Sequence, residues 1–158
     1  MKFRAVYIVS LVLLMLVTGV FWGTWFTLTR SLGSFSTEEF IHIGKVIIAN
    51  VAMPMRIIMP LCILFMLLSL LIYPRKKSSR FYCNVIAFTL IVITLLITLL
   101  VLVPIDNQIK LWTVSTVPVN VAALRNRWEL FHEIRTFTCL GSFVCFALSM
   151  IDIRRRRE

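Results

Sequence analysis

The sequence has few acidic residues, only two histidines and no pair of cysteines at C-x-x-C spacing. Neither His42 nor His132 has histidine, cysteine or paired carboxylate neighbours at the spacings of zinc or di-iron sites, so we predict no bound metal. The P-loop, the dinucleotide-binding glycine motif and the nucleophile elbow are also missing. We therefore predict no cofactor, at least none that requires a recognisable motif.

The cysteines themselves argue against a thiol-redox enzyme. All four lie in or beside apolar segments, and none lies in a polar connection: Cys62, Cys83, Cys139 and Cys145. This placement favours a role for the cysteines as small apolar side chains in the packed interior.

What the chain has in abundance is long apolar runs. It is 59% apolar over 158 residues, with a mean hydropathy of +0.92. A helix needs about 20 largely apolar residues to cross a bilayer, and four windows meet that requirement. We predict an all-α, integral membrane four-helix bundle in a single domain. The predicted helices are 5–28, 46–73, 81–103 and 134–153, with outward segments 29–45 and 104–133.

The net charge of +10 follows a topological pattern. Basic residues collect near the start of the chain, at 75–80 and at 154–157, three segments that an even number of crossings places on one side. By the positive-inside rule, both termini are predicted to be cytoplasmic, in a plasma or inner membrane. Membrane topology accounts for the distribution of the basic residues. We therefore predict no nucleic-acid partner, and we expect membrane lipid to surround the protein.

Gly19 and Gly23 form a G-x-x-x-G pair in the first predicted helix. Such a pair lets a neighbouring helix approach closely, and it suggests a homo-oligomer. Two unrelated glycines remain the alternative.

The fourth helical pattern carries an unusual face. At 100° per residue, Trp128, His132, Arg135 and Cys139 share it with Arg125. One interpretation is an interfacial belt of aromatic and cationic side chains. The other is chemistry: a histidine exchanges protons near neutral pH, and arginines hold an anion.

Four further side chains could complete such a site. Asn107 and Trp112 end the preceding helix, and Trp22 could form the wall of a flat apolar ligand. Arg56 either snorkels to the interface or faces inward as a positive group, two options that the sequence leaves open. We predict all four as substrate-binding residues.

These residues carry a family resemblance. Segments 103–109 (VPIDNQI) and 124–136 (LRNRWELFHEIRT), with Trp112 between them, resemble the anthrone-oxygenase-like family of small four-helix membrane proteins. Segment 21–26 (FWGTWF) and Asn50 with Pro54 are similar to its weaker motifs. Asp106 stands where an asparagine is common in that family.

The resemblance implies oxidation of anthrones by molecular oxygen, an oxidoreductase activity without a conventional cofactor. It implies His132 as the base; Arg125, Arg135 and Arg56 as groups that hold the anion; and Trp22 and Trp128 as stacking partners. The expected ligand is an apolar aromatic or quinone-like small molecule. The alternative is a non-enzymatic lipid- or partner-binding membrane module. A transporter is disfavoured because the charges collect at the boundaries.

Overall fold

The computed structural model describes residues 2–74, 76–113 and 115–150. These residues form helices joined by short connections, and they contain no strand. The elements are α1 (Lys2–Thr27), a short 3₁₀ helix (Thr29–Ser34), α2 (Thr37–Leu71), α3 (Ser79–Ile97), a π-helical turn (Thr98–Leu102), α4 (Val103–Leu111) and α5 (Val121–Met150). Arg75 and residues 151–158, on which part of the charge prediction depends, lie outside the described residues.

Four of the resulting helical spans are long and apolar enough to cross a membrane: Arg4–Ser34, Thr37–Leu71, Ser79–Leu111 and Val121–Met150. Large apolar side chains such as Met53, Ile57 and Leu100 are exposed on their outer surface, as expected where the solvent is lipid. The predicted all-α four-helix membrane bundle is confirmed, and the protein is a multi-pass membrane protein.

The helices extend beyond the predicted windows at one end of the bundle, which we call the Trp112 end. α2 begins at Thr37 because Ser36 and Glu39 form a capping box. The Ser36 Oγ accepts from the Glu39 N–H at 3.3 Å, and the Glu39 carboxylate accepts from the Ser36 N–H at 2.7 Å. The opposite end, which carries the 72–78 connection, is called the Arg80 end.

Two buried clusters hold the bundle together. α5 packs against both α3 and α1, and α1 packs against α2. The larger cluster fills the interior from the Arg80 end to mid-bundle with side chains that include Leu14, Met66, Ile91 and Phe146. The second lies at the Trp112 end and is formed by Leu32, Phe40, Ile41, Ile48, Leu102, Ile105, Ile109, Trp112 and Trp128. Polar side chains meet between these two apolar clusters.

Candidate functional site

The candidate site is a buried polar cluster on the inward face of α5. Trp128, His132 and Arg135 are only 1%, 6% and 8% exposed. They lie at i, i+4 and i+7, so one helical face carries all three into the bundle. Interfacial-belt residues would reach the head-group layer, so that interpretation does not describe these side chains.

Trp128 joins α5 to α4. Its indole Nε1–H donates to the Asp106 carboxylate at 2.8 Å, and its ring lies 4.1 Å from the imidazole of His132, centroid to centroid. Phe40 of α2 meets the indole edge-on at 5.9 Å. The indole is therefore fixed on three sides, and it holds the imidazole in place.

Arg135 is paired with His132 inside the bundle. Its Nη2 lies 2.8 Å from the His132 Nδ1, and its guanidinium carbon lies 4.0 Å from the centre of the Phe21 ring. A guanidinium only donates hydrogen bonds, so Nδ1 must accept, and the neutral imidazole then carries its proton on Nε2. In this arrangement the second ring nitrogen of His132 is a buried N–H donor, whereas the base role that the resemblance implies requires a nitrogen that accepts a proton.

Two buried groups in this cluster have no hydrogen-bond partner among the described residues: the His132 Nε2 and the Arg135 Nε. Both are donors in the tautomer just derived. A buried donor without a partner costs about 1 to 3 kcal/mol. A buried, unpartnered donor beside the Arg135 cation is suited to donate to an oxygen atom on which negative charge develops.

The family model for anthrone oxygenase matches residues 46–145, more than half of the chain. The chain belongs to the anthrone oxygenase family. The predicted family resemblance is thereby confirmed. The match includes Asp106, Trp128, His132 and Arg135, whereas α1 with Phe21 lies before it. No curated protein and no solved structure matches the chain significantly.

In this family member, Arg125 lies apart from the His132–Arg135 pair. Its guanidinium donates to the carbonyl oxygens of Leu32 at 3.3 Å, Phe35 at 3.0 Å and Ser36 at 3.2 Å. It also lies 4.6 Å from the centre of the Phe40 ring. These contacts fasten the connection between α1 and α2 onto α5, so the structure gives Arg125 a positioning role.

Three other predicted site residues also lie away from the cluster. Arg56 is exposed on α2, as the snorkelling option requires. Asn107 is exposed and accepts from the Lys110 ammonium at 3.2 Å. Trp112 is buried, and its carbonyl accepts from the Lys45 ammonium at 2.6 Å. Trp112 therefore supports the end of α4 without contributing a polar group to the cluster.

Trp22 lines a groove of about 280 Å³ between α1 and α5. Its lining residues are Met15, Thr18, Gly19, Trp22, Leu140 and Phe143. A Cβ added at Gly19 would meet nothing within 4 Å, so the glycine leaves the groove open. At its inner side, the Thr18 hydroxyl lies 3.3 Å from the Cys139 sulfur, one helical turn from Arg135. The groove thus approaches the buried cluster.

Two residues of the cluster were not among the predicted site residues. Asp106 departs from the family pattern, yet its carboxylate anchors Trp128 and is near enough to interact electrostatically with Arg135. Phe21 is the first residue of the 21–26 motif and contacts the Arg135 guanidinium through its ring. A signal for it exists, because Leu14, Val17 and Phe21 recur at helical spacing and are all buried. In the described part of the chain, no three His, Cys, Asp or Glu side chains meet as metal ligands.

Proposed function

We propose that this member of the anthrone oxygenase family oxidises a flat, enolisable aromatic ketone with molecular oxygen. The observation that carries the proposal is the pair of buried, unpartnered donors at His132 Nε2 and Arg135 Nε. An anthrone-type substrate has one carbonyl oxygen, and that oxygen gains negative charge when the opposite CH₂ group loses a proton. Donors fixed in a water-poor interior stabilise such a charge strongly.

The reaction then needs a proton acceptor and an oxidant. We assign the acceptor to the Asp106 carboxylate, which Trp128 holds at 2.8 Å. The resulting carbanion reacts with O₂ and takes a proton, giving a hydroperoxide on the former CH₂ carbon. Loss of water from that hydroperoxide forms the second carbonyl. In total, CH₂ and O₂ become C=O and H₂O, so electrons and atoms balance without a further reductant.

The groove beside Trp22 is the substrate route that best fits this chemistry. An apolar aromatic ketone partitions into the bilayer, and the groove opens on the side of α1 that carries exposed apolar side chains. Trp22 offers a flat wall for stacking. Because Thr18 and Cys139 separate the groove from Arg135 by one turn, a substrate entering here has a short path to the donors.

The test is oxygen uptake by the purified protein in proteoliposomes, with anthrone as the substrate and protein-free liposomes as the control for spontaneous oxidation. His132→Gln retains an N–H donor, whereas His132→Leu does not. We expect the leucine variant to lose roughly 100-fold or more in turnover and the glutamine variant markedly less. Equal losses in both variants would support the base role instead. No uptake above protein-free liposomes by the wild type, over a panel of anthrones, would refute the proposed function.

The role of Asp106 has its own test in the same assay. Asp106→Asn retains an oxygen that accepts from the Trp128 indole but cannot take a proton. Turnover should fall by roughly 100-fold or more if the carboxylate is the acceptor. Glu133→Gln, an exposed change of the same kind on α5, is the control. Unchanged turnover in Asp106→Asn would leave the carboxylate as an anchor for Trp128 alone.

A second candidate function is a binding module that self-associates. Added Cβ atoms at Gly19 and Gly23 meet nothing within 4 Å, so both glycines face open space that a second copy's helix could enter. Cross-linking in liposomes tests this. A dimer lost in Gly19→Leu plus Gly23→Leu would favour it, and an exclusively monomeric wild type would count against it.

We further propose that the Arg80 end faces the cytoplasm of a plasma or inner membrane. Arg4, Lys76, Lys77 and Arg80 lie at this end, and the Trp112 end carries acidic residues among its basic ones. Fusion of a reporter that is active only in the cytoplasm to the C-terminus tests the orientation.

A further inference from the structure

A second cleft lies at the Arg80 end, across the bundle from the candidate site. It has a volume of about 370 Å³, and the ends of α1, α3 and α5 enclose it together with the connection after α2. Its lining residues are Arg4, Tyr7, Ile8, Tyr73, Arg80, Ser149 and Met150. None of these residues takes part in the proposed oxidation.

The base of this cleft is rigid. Tyr7 is only 4% exposed, its hydroxyl accepts from the Asn84 amide at 2.7 Å, and its ring stacks on Phe146 at 5.3 Å. Asn84 is fully buried and also donates to the Ser69 hydroxyl at 3.3 Å. A satisfied polar network of this kind holds its members in one arrangement, so the cleft is preformed.

The cleft combines a cationic rim with an apolar track. Arg4 and Arg80 both line the cleft, and a guanidinium group can donate paired hydrogen bonds to the oxygens of a phosphate. From Ile8 the same face of α1 continues through Val12 and Met15, all three exposed. A ligand for this cleft therefore has an anionic head and a long apolar chain.

We propose that the cleft binds an anionic phospholipid from the leaflet at the Arg80 end. The phosphate lies between the guanidinium groups of Arg4 and Arg80, and one acyl chain follows Ile8, Val12 and Met15. Free inorganic phosphate has the same head chemistry but no chain, so it leaves this apolar track unused. The phosphate site at Arg4 and Arg80 takes no part in the proposed oxidation, although the acyl chain ends at Met15, which also lines the groove beside Trp22.

Native mass spectrometry of the full-length protein in detergent tests this proposal, with phosphatidylglycerol as the probe. We expect the wild type to retain one phosphatidylglycerol in preference to phosphatidylcholine. Arg4→Gln and Arg80→Gln should each weaken retention by roughly tenfold. Arg127→Gln is the matched control, because it removes the same charge from an exposed residue near the Trp112 end.

Circular dichroism and size-exclusion profiles identify variants that have failed to fold. If Arg80→Gln does not fold, Arg80→Lys replaces it. Lysine keeps the charge, so we expect a smaller loss of phosphatidylglycerol retention. Equal retention of phosphatidylglycerol by Arg4→Gln, Arg80→Gln and Arg127→Gln would overturn the proposal. Equal retention of phosphatidylcholine by the wild type would overturn it too, since that reports general lipid solvation. Displacement of the lipid by millimolar inorganic phosphate would also overturn the proposal, because it would show an anion site that does not use the lipid chain.

Discussion

Replacing Arg125 with methionine should lower the free energy of unfolding. It should have little effect on the turnover of the molecules that remain folded. The guanidinium makes three hydrogen bonds to carbonyl oxygens in the connection between α1 and α2. Two of these bonds are part-buried and one is exposed, and about 1 kcal/mol for each gives a loss of about 3 kcal/mol in the free energy of unfolding. Arg125→Lys keeps a charge near Phe40 but cannot form the planar fork, so we expect it to lose about 2 kcal/mol.

Reversible unfolding in mixed detergent micelles, followed by tryptophan fluorescence, measures these losses. Arg127→Met is the control, because Arg127 is an exposed neighbour whose guanidinium lies 5.9 Å from the Phe131 ring centre. Its loss should stay below about 0.5 kcal/mol. An Arg125→Met variant of wild-type stability that no longer oxidises anthrone would refute the positioning role and restore the catalytic one.

Three further changes are predicted to act through contacts elsewhere in the bundle. Trp128→Phe keeps an aromatic ring beside His132 but removes the indole donor to Asp106, so thermal unfolding in detergent should show a loss of about 1 to 2 kcal/mol. Gly44→Ala places a Cβ 3.2 Å from a buried isoleucine methyl and should cost about 1 kcal/mol, whereas Gly19→Ala, which meets nothing within 4 Å, should not destabilise. Ser36→Ala removes the capping box and should cost about 1 kcal/mol in the same measurement; an unchanged midpoint would contradict that role.

The fold could largely be predicted because the bilayer imposes a simple length rule on apolar runs. The predicted window for α2 begins at 46, and Ser36 followed by Glu39 at the capping spacing is the sequence signal for the earlier start at Thr37. The π-helical turn at Thr98–Leu102 was not readable. It lies in a run of similar apolar residues, and their side chains carry no local signal that distinguishes a π turn from continued α helix.

The candidate site was only partly predictable. The His132–Arg135 pair follows from i, i+3 spacing on one helix, which sequence shows directly. The Trp128–Asp106 bond joins two helices whose relative rotation only the folded chain determines. The contacts of Arg125 could not be predicted for another reason. Its partners are backbone carbonyls, and every residue type has a carbonyl. The roles of the predicted site residues in turnover stay predictions.

The π-helical turn has a consequence for the register of the residues that follow it. A π turn is closed by bonds one residue longer than those of an α helix, so it corresponds to a single added residue. Each added residue rotates everything that follows by about 100°. If residues 98–102 formed a regular α helix with no residue removed, Asp106 would leave the side of α4 that meets Trp128, and Ile105 and Ile109 would leave the buried cluster. The turn therefore absorbs one more residue than a straight α helix would, and it keeps α4 in the register that brings the Asp106 carboxylate to Trp128.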